Sequence, residues 1–321
     1  MPADRPRPSG FPPIRRLGAA DLKRCVALSL DRGWSPERAK WSLLLAASEV
    51  FGIDAPDGRG LAGAVVLTRW GPDLASVGMM LVATRYGRRG LGRALMEHLL
   101  TAAGPDATVT LFATDMGRPL YEKLGFTPVR RNVSFLGRLR PPPGLRPPPG
   151  LLPPPGLRPP PGLRPRPGFR PPAGPASPGL VRLARRDDLP AILAVDRAAF
   201  GADRGAIVTR LPGFADRIAV IEHAHVVTGY ATAWRNHAAS TVIGPLVAPD
   251  TEAATRLIAE LAARVKTPVR LDLDPDRQEL PAWAHTHGLE PVARTVVMAH
   301  GELKPRGTPE HLFTPISVAL A

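Results

Sequence analysis

Between Arg140 and Gly179 the chain loses the means to build a core. From Pro141 the hexad Pro-Pro-Pro-Gly-Leu-Arg recurs. It decays into Pro165-Arg166-Pro167-Gly168-Phe169-Arg170 and then Pro171-Pro172-Ala173-Gly174. Proline fixes φ and removes an amide donor, and glycine interrupts any extended rod. The few leucines left cannot bury a core. Residues 141–178 are therefore expected to be a semi-stiff linker. In polyproline II, at about 3.1 Å per residue, they could reach roughly 100 Å. The remainder of the 321 residues falls into two stretches, each long enough for its own core. With a proline-rich, disordered tail at 1–11, the expected plan is a first domain at 12–140, the linker, and a second domain at 179–321.

Charge follows the same division. The net charge is +14, but Arg140, Arg146, Arg158, Arg164, Arg166 and Arg170 lie in or beside the acid-free linker, and Arg5 and Arg7 in the tail. Only Phe169 offers a ring there, so no base-stacking platform is present and no specific nucleic-acid partner is expected. Cys25 is the one cysteine, which excludes an internal disulfide and suits a reducing compartment. It sits among Leu22, Val26 and Leu30, the setting of a packed thiol rather than a nucleophile. No apolar leader and no run of 18 apolar residues occurs, so the expectation is a cytoplasmic protein without membrane contact. No Cys/His spacing suits a metal, since His285 and His287 stand two apart without partners.

Within 12–140 the pattern predicts strand Ile14–Leu17, a helix from Ala19, and a second helix entered through Ser35 as cap and Pro36 as first residue. A hairpin (Glu49–Asp54, Leu61–Trp70), strand Val77–Val82, a helix from Leu91, strand Thr108–Ala113, a short helix at 117–124 and a closing strand at 129–139 follow. The stretch joining Val82 to Leu100 carries the chemistry. Gly87, Gly90 and Gly92 allow a tight turn and close approach. Free amides at a helix start attract an anion, and Arg88, Arg89 and Arg93 add positive charge. A phosphate-bearing ligand lying across this turn is the prediction; a glycine-rich turn without a ligand is the plainer alternative. There is no Gly-Lys-Ser/Thr of a nucleotide loop, and Gly90-Leu91-Gly92 lacks the third glycine of a dinucleotide fingerprint.

Residues Gly87 to Gly92 resemble the Gln/Arg-x-x-Gly-x-Gly/Ala pyrophosphate loop of the GCN5-related N-acetyltransferase (GNAT) superfamily, with Gly87 in place of the usual first residue. Leu120-Tyr121-Glu122-Lys123-Leu124-Gly125-Phe126 resembles that superfamily's next motif, with Thr114 where Asn is usual and Gly117 where Ala is usual. The fold implied is α/β (α+β), a splayed mixed sheet flanked by helices. The second domain repeats the plan and resembles the second domain of tandem GNAT proteins of the YitH type. The residues concerned are Asp196–Arg204, Gly229-Tyr230, Ile243–Ala248 and Leu271–Asp274. Its strand-to-helix loop, Ala248-Pro249-Asp250-Thr251-Glu252, has no glycine and two acids where a pyrophosphate would lie, so coenzyme A is not expected there.

The resemblance implies acetyl-coenzyme A as co-substrate, with no metal, and acetyl transfer to the primary amine of a small molecule or peptide. It assigns pantetheine contact to Leu81 and Val82, with the Val82 amide polarising the thioester carbonyl. Gly87, Arg88, Arg89, Gly90, Leu91, Gly92 and Arg93 would hold the pyrophosphate, Thr114 would contact the cofactor, and Tyr121 would be the general acid. No general base stands out among Asp31, Glu37, Asp54 and Asp115, and His98 lies among apolar helix positions. Asp196, Asp203, Arg204, Arg235, Asp272 and Asp274 could line an acceptor pocket facing the first domain or form ion pairs within the second. A homodimer is compatible with this plan. The rival reading is a non-catalytic acyl-coenzyme A-binding regulator or scaffold.

Overall fold

A computed structural model describes residues 10–140, 179–236 and 240–319. The tail at 1–9 and the linker at 141–178 lie outside the described residues. The first half runs β1 (Arg15–Leu17), α1 (Leu22–Asp31), α2 (Arg38–Ala47), β2 (Glu49–Asp54), β3 (Leu61–Arg69), β4 (Leu74–Val82), α3 (Leu91–Ala103), β5 (Thr108–Ala113), α4 (Arg118–Glu122) and β6 (Thr127–Gly137). The second runs β7 (Leu180–Leu183), α5 (Leu189–Phe200), α6 (Gly205–Val208), α7 (Leu211–Phe214), β8 (Arg217–His223), β9 (Val226–Asn236), β10 (Ser240–Val247), α8 (Thr251–Ala262), β11 (Val269–Leu273), α9 (Glu279–Thr286), β12 (Leu289–His300) and β13 (Leu312–Thr314). No helix among the described residues is long and apolar enough to cross a membrane.

The expected mixed sheet with flanking helices is observed, with the element order of the first half repeated in the second. One detail differs at the second helix, which starts at Arg38 rather than at Pro36. Its cap is Glu37, held at φ 44° in the left-handed region, and not Ser35. The Glu37 carboxylate is drawn into a 2.7 Å ion pair with the buried Lys40, which fixes this entry.

The halves share local chemistry as well as order. Arg15 on β1 grips Asp21 at 2.7 Å and Asp54 on β2 at 2.8 Å. Arg182 on β7 grips Asp188 at 2.7 Å and Glu222 on β8. In both, the aspartate six residues on also accepts the backbone amide that opens the next turn, Gly18 at 3.1 Å and Arg185 at 2.6 Å.

Each half was expected to close its own sheet, and here the structure departs from the sequence reading. The strand order is β1-β2-β3-β4-β5-β12-β6-β11-β10-β9-β8-β7. Thus β12 pairs with β5 (Val297 opposite Phe112), while β6 pairs with β11 (Ser134 opposite Asp272) and with β12. The closing strands are exchanged, and 13 strands form one sheet. Polar pins fix the crossing: Ser134 donates to Asp272 at 2.6 Å and Asn132 to Thr295 at 3.1 Å. Gly137 is required by contact, because a Cβ there would stand 2.2 Å from the Gly288 carbonyl oxygen.

The core is continuous across the halves. Cys25, Trp41, Leu44, Val65 and Leu95 of the first half belong to the same buried cluster as Ile192, Ile207, Leu211 and Tyr230 of the second. Helix α2 packs on α6 and α7. Leu91, Leu95, Met96 and Leu99 form the buried stripe of α3, spaced three and four apart as a helix on a sheet requires. A second cluster gathers Leu257, Ile258 and Leu261 of α8 with Phe135 of β6.

Candidate active site

Strands β4 and β5 run parallel and paired only from Leu74–Thr108 to Val77–Leu111. Just beyond, β4 carries a bulge: its pairing with β3 steps from Val66–Gly78 to Ala64–Leu81, and Met79 takes φ 45°. The extra residue bends β4 away from β5 and leaves its edge from Gly78 to Val82 without a strand partner on the β5 side. Ala83 donates to the Ala62 carbonyl at 2.9 Å. Antiparallel alternation therefore turns the Val82 amide away from β3 and toward the gap, while Leu81 pairs with Ala64.

The gap leads to the glycine-arginine turn. Asp31 accepts the Thr84 amide at 2.6 Å and holds the start of the turn. Gly90, at φ 79°, caps α3. Among the described residues the amides of 88–93 have no hydrogen-bond acceptor, so a run of free N–H groups leads into a helix start, as an anion site requires. Arg93 pairs with Glu97 at 2.9 Å, whereas Arg88 and Arg89 form no ion pair among the described residues. A groove of about 970 Å³ runs from Arg89, Gly90 and Arg93 past Lys123 to His300. His300 comes from β12, so the second half contributes to this groove. At Gly92 a Cβ would meet Leu120 and Met80 at 3.3 Å, which explains that glycine by packing. At Gly87 the nearest atom would be 3.4 Å away, so the position tolerates the larger residue found in related loops.

Tyr121 lies on α4, 8% exposed, with its ring on Phe126. Burial disfavours the phenolate and pushes its pKa up to about 12. Its hydroxyl has no hydrogen-bond partner among the described residues. A Cβ on Gly117 would stand 3.5 Å from both that hydroxyl and Thr114 Oγ1, so Thr114 and Tyr121 converge over residue 117.

The other candidates are accounted for. Asp31 serves the turn, Glu37 is paired with Lys40, and Asp54 is held by Arg15 and Arg24, the latter at 2.9 Å. Asp115 is exposed. His98 packs edge-on against Phe51, and burial lowers its pKa. Cys25 is fully buried, with its thiol pushed up to about 12, so it is no nucleophile. Among the described residues no group of three His, Cys, Asp or Glu side chains is placed to hold a metal ion.

The second half's acids separate into two sets. Asp203 pairs with Arg197, and Arg235 lies 3.9 Å from Asp216, all exposed. Arg204, Asp272 and Asp274 instead line a cavity between the halves, with Asp196 behind Arg204.

The counterpart of the β4–β5 gap is filled. Strands β10 and β11 pair in parallel only at Thr241–Val269 and Val242–Arg270, and β13 then pairs with β10 at Leu246 and Val247. Asp250 occupies the start of α8, accepting the Ala253 amide at 2.7 Å. An aspartate side chain thus takes the place an anion would need. Sequence reasoning missed β13, a three-residue strand with no alternation to announce it.

Comparison with known proteins agrees with this architecture. Residues 47–128 and 192–314 each match a family described as an acetyltransferase (GNAT) domain. The N-acetyltransferase YitH of Bacillus subtilis, itself uncharacterized, is 26% identical over 208 residues. That alignment takes in 64% of this chain and spans only 63% of the relative's length. A crystal structure from Pyrococcus horikoshii, of a protein assigned as an acetyltransferase, superposes with a TM-score of 0.73 at 18% identity, covering 100% of this chain and 99% of that one. A tandem GNAT protein from the clavulanic acid biosynthesis pathway has a TM-score of 0.59 at 16% identity, covering 91% and 99%. The chain belongs to the GNAT superfamily, in its tandem two-domain form.

Proposed function

We propose that the chain is an acetyl-coenzyme A-dependent N-acetyltransferase that modifies a primary amine by direct attack, with its cofactor held by the first half. The observation that carries this reading is the contrast between the two gaps. Beside β4 an unpartnered edge adjoins unpaired amides and Tyr121, whereas beside β10 the same place is filled by β13. Bound acetyl-coenzyme A supplies a thioester. Residues 88–93 bind its pyrophosphate through backbone amides, and Arg88 and Arg89 add charge. The Val82 amide donates to the thioester carbonyl and stabilises the negative charge that develops on oxygen as the amine adds. The C–N bond forms and the C–S bond breaks; Tyr121 gives its proton to the departing sulfur, the nitrogen loses its extra proton to solvent, and Tyr121 regains one from solvent. A pKa near 12 keeps Tyr121 protonated, and so able to act as an acid, throughout the range in which amines become neutral.

A second reading has an observation of its own. Among the four acids weighed as base in the first half, only Asp115 is without a fixed partner, and it lies in the open, which would suit an acyl-coenzyme A-binding scaffold. Calorimetry with coenzyme A, followed by thiol release from acetyl-coenzyme A across an amine panel, separates the two. We expect one coenzyme A per chain and turnover with at least one amine. Binding without turnover favours the scaffold, and two coenzymes per chain would contradict the filled β10 gap.

A further inference from the structure

Residues 289–295 of β12 pair with β6 on one side and with no strand on the other. Strand β5 covers β12 only from Val296 to His300, opposite Ala113 to Val109. Beyond Ala113 the chain turns off through Asp115–Gly117 into α4. A slot is left between this edge of β12 and the edge of β4 that ends at Val82. Two strand spacings, about 9.5 Å, would separate those edges in a regular sheet, and the bend of β4 widens the slot. It has room for the cofactor's acyl arm against β4 and for an extended chain against β12. The slot is level with the site. Val77 stands beside Leu111 and the bulge takes up one residue, so Val82 is level with position 115 on the line of β5. Arg32 marks nearly the same level, donating to Thr84 Oγ1 at 3.2 Å and to Met116 Sδ at 3.8 Å. The β12 residue opposite position 115 is Arg294, two before Val296, and Glu290 to Arg294 are all exposed.

The second half has the equivalent edge and straps it. Residues 127–132 of β6 lie beyond the end of β11, whose last pair is Leu273 with Val133. The turn after β11 reaches them: Asp274 lies 3.7 Å from Arg130, and Asp276 pairs with Arg131. In the first half the turn after β5 carries Thr114 and Met116 instead, which offer β12 no charge. Arg294 holds the place of Arg131, each standing just before one partner of the Asn132–Thr295 hydrogen bond. Unlike Arg131, it has no ion pair among the described residues. Beside it Val292 is 56% exposed, and Met116 81%. An unpaired main-chain edge flanked by exposed apolar side chains is a template for another strand. Chain direction decides what that strand presents. Strand β5 runs antiparallel to β12, so a segment continuing its line runs outward with its amino end innermost, level with Val82. Pro291 lacks a donor and limits pairing to the first few residues of such a segment.

We propose that the free edge of β12 docks an extended polypeptide, and that the acceptor is that polypeptide's own N-terminal amine. The peptide lies antiparallel to β12 beyond Val296, and main-chain hydrogen bonds supply its affinity. An acidic first residue meets Arg294, and apolar side chains after it meet Val292 and Met116. As an acceptor site the edge rests on the proposed acetyl transfer; as a docking edge it stands alone.

The test is calorimetry on the full chain saturated with coenzyme A, using the amidated hexapeptide Asp-Ala-Val-Thr-Ser-Ala. It should bind at least tenfold more tightly than aspartic acid amide, which offers the same amine without the strand. Two N-methylated forms, at the second and fourth or the third and fifth residues, each remove the donors of one strand edge. One should bind at least tenfold more weakly, and the other within about threefold of the parent. Arg294 is exposed, so Arg294→Glu spares the core; it should reverse a preference of about threefold for Asp over Arg as first residue. With acetyl-coenzyme A, mass spectrometry should find the acetyl group on the peptide's α-nitrogen. Equal binding of hexapeptide and aspartic acid amide, no loss with either methylated form, or an unreversed preference overturns the assignment. So does self-association of the chain that Arg294→Glu abolishes, which would give the edge to a second copy. Turnover of small amines with no peptide bound leaves acetyl transfer standing and removes this edge. Peptide binding with no acetyl transfer to any amine keeps the edge and removes the reaction.

Discussion

At the scale of single residues, the argument turns on what burial does to a proton. Tyr121 is enclosed by α4, Phe126 and the turn at Thr114, and its pKa of about 12 keeps it an acid at every working pH. Tyr121→Phe keeps the ring and its packing but removes the proton. Turnover of acetyl-coenzyme A should fall by about 10² to 10⁴, with coenzyme A affinity unchanged in calorimetry. An equal loss of affinity would make the hydroxyl a binding group instead. The Arg15 cluster has the opposite sign. The Arg15 guanidinium holds the Asp21 carboxyl down at about 2, below its ordinary value of 3.8. The stability this pair contributes is therefore full above the ordinary carboxylate range and is lost as pH falls through about 2. Its size is about 1 kcal/mol once the partial exposure of Arg15 is allowed for. Arg15→Gln should move the acid limb of a thermal-stability profile upward by one to two pH units, and an unmoved limb would remove the pair from the account. Much of this was legible in the sequence, because Leu120–Phe126 and Gly87–Gly92 carry their chemistry locally. Arg204 and Asp272 could be named as pocket candidates, but not chosen over Asp203 and Arg235. That choice is made by strands far apart in the chain.

Elements were legible by type and not by neighbour. Alternation marks β6 and β12 as strands, and nothing in either segment tells it which half to join. Both are long, with Pro128 and Pro291 near their starts. The exchange is decided by contacts such as Ser134 with Asp272 and by the room at Gly137. This gives Gly137 an importance its sequence context hides. Gly137→Val would press a branched side chain on the Gly288 carbonyl oxygen and should destabilise the whole sheet by about 1–3 kcal/mol in urea unfolding. Gly18→Ala, whose Cβ would meet no atom within 4 Å, should cost much less. Similar losses for the two variants would mean that the crossing tolerates a shift in register. Strand β13 carries the related lesson that a filled slot can be built from three residues, too few to be recognised by pattern.

For the molecule as a whole, the exchange raises the question of what keeps it within one chain. Arg140 is tied to the His287 carbonyl at 2.9 Å beside β11 and β12, while Gly179 lies against Glu222 at the far edge of the sheet. From β6 to β7 are five strand spacings, roughly 24 Å. The 38 residues of 141–178 exceed that span several-fold. Removing Pro147–Arg164, three hexads, leaves roughly 60 Å of reach and lowers the loop-closure cost by about 0.6 kcal/mol. That variant should keep the oligomeric state of the parent and melt at or slightly above it. Joining Arg140 directly to Gly179 cannot bridge 24 Å within one chain, so β6 and β12 could then find their places only in a second copy. Light scattering should report twice as many chains per particle for the fully deleted chain as for the parent, with each half completed by its partner. An unchanged oligomeric state with that deletion would require each half to take back its own closing strand, and the 13-stranded sheet would no longer describe the protein in solution.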